Sequence, residues 1–317
     1  MSMRAFAVSE LGGTGSIREI PIPEPEEGEV LVAVHSAGVN PVDVGYASGA
    51  YRDYMEHHLP LVPGVDLAGV VERVGAGVDA FAAGDEVYGV AAKPFVGAGT
   101  FAEYVAVGTD TIAPKPESLD FAGAAAVPTA GLTALAAIEA ADPAAGKTIV
   151  VLGATGGVGS FVTQLASARG ATLVAISAKA GTALARGLGA TETIDYESND
   201  VGAELQVRYA EGVDVLISTY GNLDAVVAAA RAVKSGGMVL SPALRADAAT
   251  AALEPLGLTF KSTNRLPPAR LPELSALLDG GQLHVPPITS FPLEQTGSAL
   301  EEIAGGHVRG KLVIAVR

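Results

Sequence analysis

The chain has 317 residues, 49% of them hydrophobic and 17% charged. That is enough material for about two domains with buried cores, and it excludes a disordered chain. Lys and Arg number 20 against 35 Asp and Glu, a formal charge of −15, and Cys is absent. The acidity disfavours nucleic-acid binding, and the missing Cys excludes disulfides, Cys-ligated zinc, iron–sulfur clusters and a Cys nucleophile.

Residues 1–8 run into Ser9-Glu10-Leu11-Gly12-Gly13 with no apolar leader core, so no export signal is read and the cytoplasm is the expected location. The first third reads as β. Runs at 3–8, 29–34, 67–74, 86–90 and 100–107 are rich in Val, Ala and aromatic residues and are separated by Gly and Pro clusters. This is the pattern of a compact barrel or sandwich. Pro114-Lys115-Pro116-Glu117 marks a boundary. Residues 121–141 approach the length of a membrane span, but their Ala content, Pro128, two glycines and Glu139 predict a buried helical segment instead. The rhythm then changes. A buried strand at 147–153 precedes a helix at 158–169, a strand at 172–177 and a helix at 180–188 closed by Gly189. Strands at 193–196, 213–219, 237–241 and 258–262 continue the series, and the alternation predicts a parallel, doubly wound sheet. A helix at 271–278 and a strand at 311–316 close the chain.

The first strand of that series ends in Gly153-Ala154-Thr155-Gly156-Gly157-Val158-Gly159. The pattern is A-x-G-x-x-G, with Ala154 in place of a first glycine. Gly156 lets the backbone approach a pyrophosphate, Gly159 lets the helix pack on the strand, and the helix N-terminus offers its N–H groups. NAD-binding units place Asp or Glu about 20 residues on, to hold the ribose hydroxyls. Ser177 stands there, and no Asp or Glu occurs from 160 to 191, where Arg169, Lys179 and Arg186 are found. A 2′-phosphate is repelled by a carboxylate and held by a hydroxyl and a cation. NADPH is therefore expected over NADH, with Lys179 first and Arg186 second as its partners; Arg169 reads as an ordinary exposed helix residue.

Residues 38–43 (Gly-Val-Asn-Pro-Val-Asp), 63–71 (PGVDLAGVV), 74–78, 84–89 and 99–104, the 153–159 loop and Gly310-Lys311-Leu312-Val313 together resemble the medium-chain dehydrogenase/reductase superfamily. The set is similar to its zinc-free quinone oxidoreductase branch, the zeta-crystallin-like proteins, over essentially the whole chain. The resemblance implies an α/β fold, a Rossmann doubly wound parallel sheet plus a GroES-like mainly-β domain. The division would be 1–122 (GroES-like, first part), 123–262 (Rossmann, NADPH-binding) and 263–317 (GroES-like, C-terminal return), with the active site in the cleft. It implies hydride transfer from NADPH to a quinone or an enone, commonly within a homodimer. Zinc-dependent relatives ligate a metal with a Cys near Asn40 and a Gly-His-Glu near Gly64-Val65-Asp66. Asn40 and Val65 stand at those places, so no metal is expected, and the adjacent His57 and His58 are read as surface residues in a loop.

The resemblance also marks site residues. Asn40, Tyr46 and Tyr51 match positions lining the quinone and nicotinamide pocket and are the catalytic candidates, with Asn40 and Tyr46 as donors to a developing oxyanion. Thr129 and Thr133 would face the nicotinamide, and Ala154, Thr155, Gly156, Gly157, Val158 and Gly159 the pyrophosphate. Tyr196 would meet the adenosine phosphate side, and Gly221 and Asn222 lie at the carboxyl edge after the strand at 213–219. Lys311 completes the cofactor-binding set. The chain departs from relatives at Thr182, where a Lys often serves the 2′-phosphate, and in the insertion 52–56 after Tyr51. Three readings stay open: a quinone reductase, a reductase of enones or enoyl thioesters, and a non-catalytic NADPH binder.

Overall fold

Short β-branched runs broken by Gly and Pro cannot continue as helices. The computed structural model, which describes all 317 residues, shows them as β1 (Ser2–Ala7), β2 (Ser16–Pro21), β3 (Glu29–Val39), α1 (Pro41–Ser48), β4 (Glu56–Val62), β5 (Asp66–Val74), β6 (Glu86–Val90), β7 (Phe95–Ala98), β8 (Tyr104–Gly108), β9 (Ile112–Pro114) and α2 (Phe121–Ala125). Next comes α3 (Pro128–Ala141). The second series is β10 (Thr148–Leu152), α4 (Gly157–Ala168), β11 (Thr172–Ser177), α5 (Thr182–Gly187), β12 (Glu192–Asp195), α6 (Val201–Arg208), β13 (Val213–Ser218), α7 (Leu223–Ala230), β14 (Val233–Ser241), α8 (Ala246–Leu253) and β15 (Thr259–Ser262). The chain ends with α9 (Leu271–Asp279), β16 (Ile288–Pro292), α10 (Thr296–Gly305) and β17 (Lys311–Ala315).

Two units result, residues 1–132 with 267–317, and residues 133–266. The breaks at 132/133 and 266/267 compare with expected ones at 122/123 and 262/263. In the first unit a seven-stranded sheet runs β16-β17-β3-β5-β6-β9, with β8 also on β3. Its core is a Val-rich cluster that includes Val30, Val32, Val34, Leu67 and Phe101. The final strand pairs antiparallel with β3, Leu312 opposite Val39, so the C-terminus completes a sheet begun near residue 29. In the second unit six strands are all parallel in the order β12-β11-β10-β13-β14-β15. The centre of such a sheet is covered on both faces, which is why β10 reads Thr-Ile-Val-Val-Leu without polar alternation. The strand order reverses at β10, and ligands of this architecture sit at the carboxyl edge there.

Three local differences from expectation have physical causes. The strand expected at 100–107 starts at Tyr104, because the Thr100 and Phe101 N–H groups turn to Gly64 O and Pro63 O, both at 3.1 Å. His57 and His58 lie in strand β4, not in a loop, and His58 stacks on Phe95 of β7 at 4.0 Å. The apolar stretch 121–141 is two helices. Asp120 caps α2 by accepting from Gly123 N at 2.7 Å, and Pro128 opens α3. No helix is long and apolar enough to cross a membrane.

Candidate functional site

The loop after β10 is shaped by backbone contacts that leave no room for side chains. Gly153 has φ +78, and a Cβ there would lie 2.6 Å from Thr219 Oγ1. A Cβ on Gly159 would lie 2.0 Å from Gly153 O, so α4 rests directly on the loop. Thr219 Oγ1 donates to Leu152 O at 3.0 Å, tying the ends of β10 and β13 together. Gly156 is the N-cap of α4, and no side chain caps the helix. This helix end lies at the sheet's switch point, where free N–H groups can receive an anion. Ala154 and Thr155 are buried beneath this turn, and Gly157 and Val158 open the helix.

At the end of β11, Ser177 is 2% exposed. A Cβ on Gly181 would lie 3.0 Å from Thr155 Oγ1 and 3.2 Å from Ser177 Oγ, so the glycine keeps a narrow hollow beside the two hydroxyls. Lys179 and Arg186 are exposed, and neither side chain has an ion-pair partner. This arrangement fits a phosphorylated dinucleotide. It also corrects the expectation of a patch free of carboxylates. Parallel pairing sets Asp195 of β12 opposite Ser177, and the Glu197 carboxylate accepts from Lys179 N–H at 3.3 Å. Tyr196 is 42% exposed. Burial raises its hydroxyl above the usual range, with the charges of Glu197 and Asp195 pushing the same way. Asn222 is spent as a helix cap, its side chain accepting from Ala225 N at 3.0 Å, and Gly221 precedes it.

In the first unit Asn40, Asp43, Asp66 and Lys311 form a buried polar cluster, joined by the half-buried Thr129. The Leu312–Val39 register places Lys311 beside Asn40, and Lys311 Nζ donates to Asn40 Oδ1 at 2.7 Å and Val39 O at 3.0 Å, with Asp66 at 4.0 Å. Asn40 Nδ2 donates to Asp66 at 3.0 Å and to Gly38 O at 3.4 Å. Thr129, in the first turn of α3, donates its hydroxyl to Asp66 at 2.6 Å and its N–H at 3.1 Å. Asn40 and Lys311 are each 4% exposed. The Asn40 amide expected to meet an oxyanion has both hydrogens directed inside the unit, and the Lys311 ammonium expected at a cofactor turns inward. Thr133, one turn along α3, is buried as well. Tyr46 and Tyr51 lie at and just beyond the end of α1, with ring centroids 5.3 Å apart edge to face. Tyr51 covers Gly45, where a Cβ would meet its ring at 2.5 Å. No group of three or more His, Cys, Asp or Glu side chains is arranged to hold a metal ion.

Asp43 is fully buried, and one of its oxygens has no hydrogen-bond partner. Its other oxygen accepts from Asn40 N at 2.7 Å. Burial pushes its carboxyl up to about 8, Asp66 adding to the shift while Lys311 opposes it. The native state therefore holds a proton that the unfolded chain, with an ordinary carboxyl near ~4, releases. Its contribution to stability is complete below that unfolded value and is lost as pH rises through about 8. Thermal melts from pH 5 to 9 should accordingly show Asp43→Asn with a shallower decline toward alkaline pH than the parent. Parallel declines would mean that Asp43 does not carry the proton.

The alcohol dehydrogenase GroES-like domain model matches residues 26–117, and the zinc-binding dehydrogenase model matches residues 188–314. The chain is 36% identical over 323 residues to the chloroplastic NADPH-dependent alkenal/one oxidoreductase of Arabidopsis thaliana, covering 98% of this chain and 79% of that one. It is 31% identical over 327 residues to the human quinone oxidoreductase, covering 98% and 97%. The quinone oxidoreductase structure from Coxiella burnetii superposes with a TM-score of 0.89 at 30% identity, over the whole of both chains.

Proposed function

The chain belongs to the medium-chain dehydrogenase/reductase family, in its quinone oxidoreductase branch, and from this we propose that it is an NADPH-dependent reductase of quinones that works without zinc. The observation that carries the cofactor is the glycine-tight turn from β10 into α4, followed by Ser177, with the exposed Lys179 two residues on and the exposed Arg186 in α5. Zinc independence is supported by the donor set. Cys is absent, Asn40 and Val65 stand at the places of the zinc ligands of zinc-dependent relatives, and Asn40 bonds Asp66 with the Lys311 ammonium beside them.

When bound, the nicotinamide supplies the hydride. The chain's own residues bind and orient. The α4 N–H groups would hold the pyrophosphate, and Ser177, Lys179 and Arg186 would hold the 2′-phosphate. Hydride addition to a quinone or an enone leaves negative charge on the substrate oxygen, which needs a donor. We assign that role to a hydroxyl of the Tyr46–Tyr51 pair, whose rings meet edge to face, while Asn40 positions Asp66 and Lys311. The enone reading is kept because the Arabidopsis relative, 36% identical, is named an alkenal/one oxidoreductase.

Fluorescence titration should show NADPH binding about 10- to 100-fold tighter than NADH, the worth of charge-assisted bonds to one phosphate. Panels of quinones and of enones with NADPH then identify the acceptor. At least one of Tyr46→Phe and Tyr51→Phe should keep NADPH affinity and lose turnover. Equal affinity for the two cofactors, or saturable NADPH binding with no turnover of either panel, would refute the proposal.

A further inference from the structure

The ends of β11 and β12 meet at one edge of the parallel sheet, and a carboxylate already occupies a donor there. Ser177 and Asp195 are opposite each other in the register. The Asp195 carboxylate folds back, accepting from Glu197 N at 3.0 Å and from Ser198 Oγ at 2.8 Å. This local turn fixes the backbone of Glu197, whose own side chain crosses to Lys179 N–H at 3.3 Å. That N–H lies two residues past Ser177, at the place where the ribose of a bound dinucleotide lies in this architecture.

The two cofactors make opposite demands on such a group. A ribose 2′-hydroxyl donates to a carboxylate, which is why an acid at this edge favours NADH. A 2′-phosphate is an acceptor only, and a carboxylate on the same N–H both blocks that donor and repels it. Lys179 and Arg186 pull the other way, and neither is neutralised by an ion pair.

Resting on the NADPH reading above, we propose that Glu197 is a specificity-determining residue of the cofactor site. Its carboxylate stands in for the 2′-phosphate at Lys179 N–H and must swing away before NADPH is held there. It thereby sets the NADPH-to-NADH ratio below what the cations alone would give. Glu197 is exposed, with no ion pair to break on leaving.

The test is a titration of the parent and of Glu197→Gln with NADPH, NADH, adenosine 2′,5′-bisphosphate and 5′-AMP. Glutamine keeps the acceptor and the length but removes the charge. NADPH and the bisphosphate should bind about 2- to 5-fold more tightly to the variant, as expected for one exposed charge. NADH and 5′-AMP should bind equally well or slightly less well. An unchanged ratio of NADPH to NADH affinities, or equal tightening of all four ligands, would overturn the assignment. A parent that does not prefer NADPH refutes the NADPH reading by itself. The role of Glu197 is read separately, from the ratio of variant to parent for each ligand. Both panels should be repeated at high salt, where the gain from the substitution should shrink.

Discussion

Lys311→Met is expected to lower the free energy of unfolding by about 3–5 kcal/mol. Lys311 is 4% exposed, and it faces Asp66 and Asp43, both fully buried. Removing it takes away the N–H donors that Lys311 gives to Asn40 Oδ1 and Val39 O and leaves the buried Asp66 without its cation. Burial alone pushes both carboxyls up and the ammonium down, so the cluster is held by mutual compensation. Urea denaturation of Lys311→Met against Lys311→Met/Asp66→Asn checks the cause. The double variant should recover part of the loss, because the uncompensated charge is gone. For scale, Arg245→Ala, which breaks a pair whose side chains are 84% and 68% exposed, should cost less than about 1 kcal/mol. Equal losses at the two sites would show that the buried ammonium is not what the cluster depends on.

This cluster shows where sequence reading stops. Asn40 and Lys311 are 271 residues apart, and their contact exists because β17 returns to pair with β3. Hydrophobic periodicity predicts that 311–316 is a strand and says nothing about which strand it joins. The same limit hid Glu197. A count along the chain from Gly159 ends near Ser177, whereas the sheet delivers residues 195–197 to that edge from the next strand. What was legible follows equally from physics. Strands β10 and β11 are apolar without alternation because both faces are covered, and the glycines between β10 and α4 mark a turn too tight for Cβ atoms. The strand β4, with only its last two residues buried, gave no alternation to read. The helices α7 and α8 are largely alanine, which blurs the contrast between an inner and an outer face.

Gly159→Ala should abolish useful cofactor binding, raising the dissociation constants of NADPH and NADH together by about 100-fold or more, equivalent to ~3 kcal/mol. The added Cβ would lie 2.0 Å from Gly153 O, 2.8 Å from Gly153 C and 2.9 Å from Ala154 Cα. All three are backbone atoms of the turn, so no rotamer change relieves the clash. Either α4 moves off β10 or the turn opens, and both displace the N–H groups that the phosphates need. Unfolding stability should fall by only about 1–3 kcal/mol, the usual cost of overpacking, so the folded variant can be titrated. Gly187→Ala in α5 is the matched control. A Cβ there meets nothing within 4 Å, and the substitution should leave both dissociation constants unchanged while stabilising the helix by up to about 1 kcal/mol. The pair separates two explanations that Gly159→Ala alone would not. Loss of binding at 159 with none at 187 places the effect in the turn geometry, whereas loss at both would point to a general softening of the unit. Retained binding at 159 would mean that the dinucleotide does not lie over the α4 N-terminus, and the assignment of Ser177, Lys179 and Arg186 to its 2′-phosphate would fall with it.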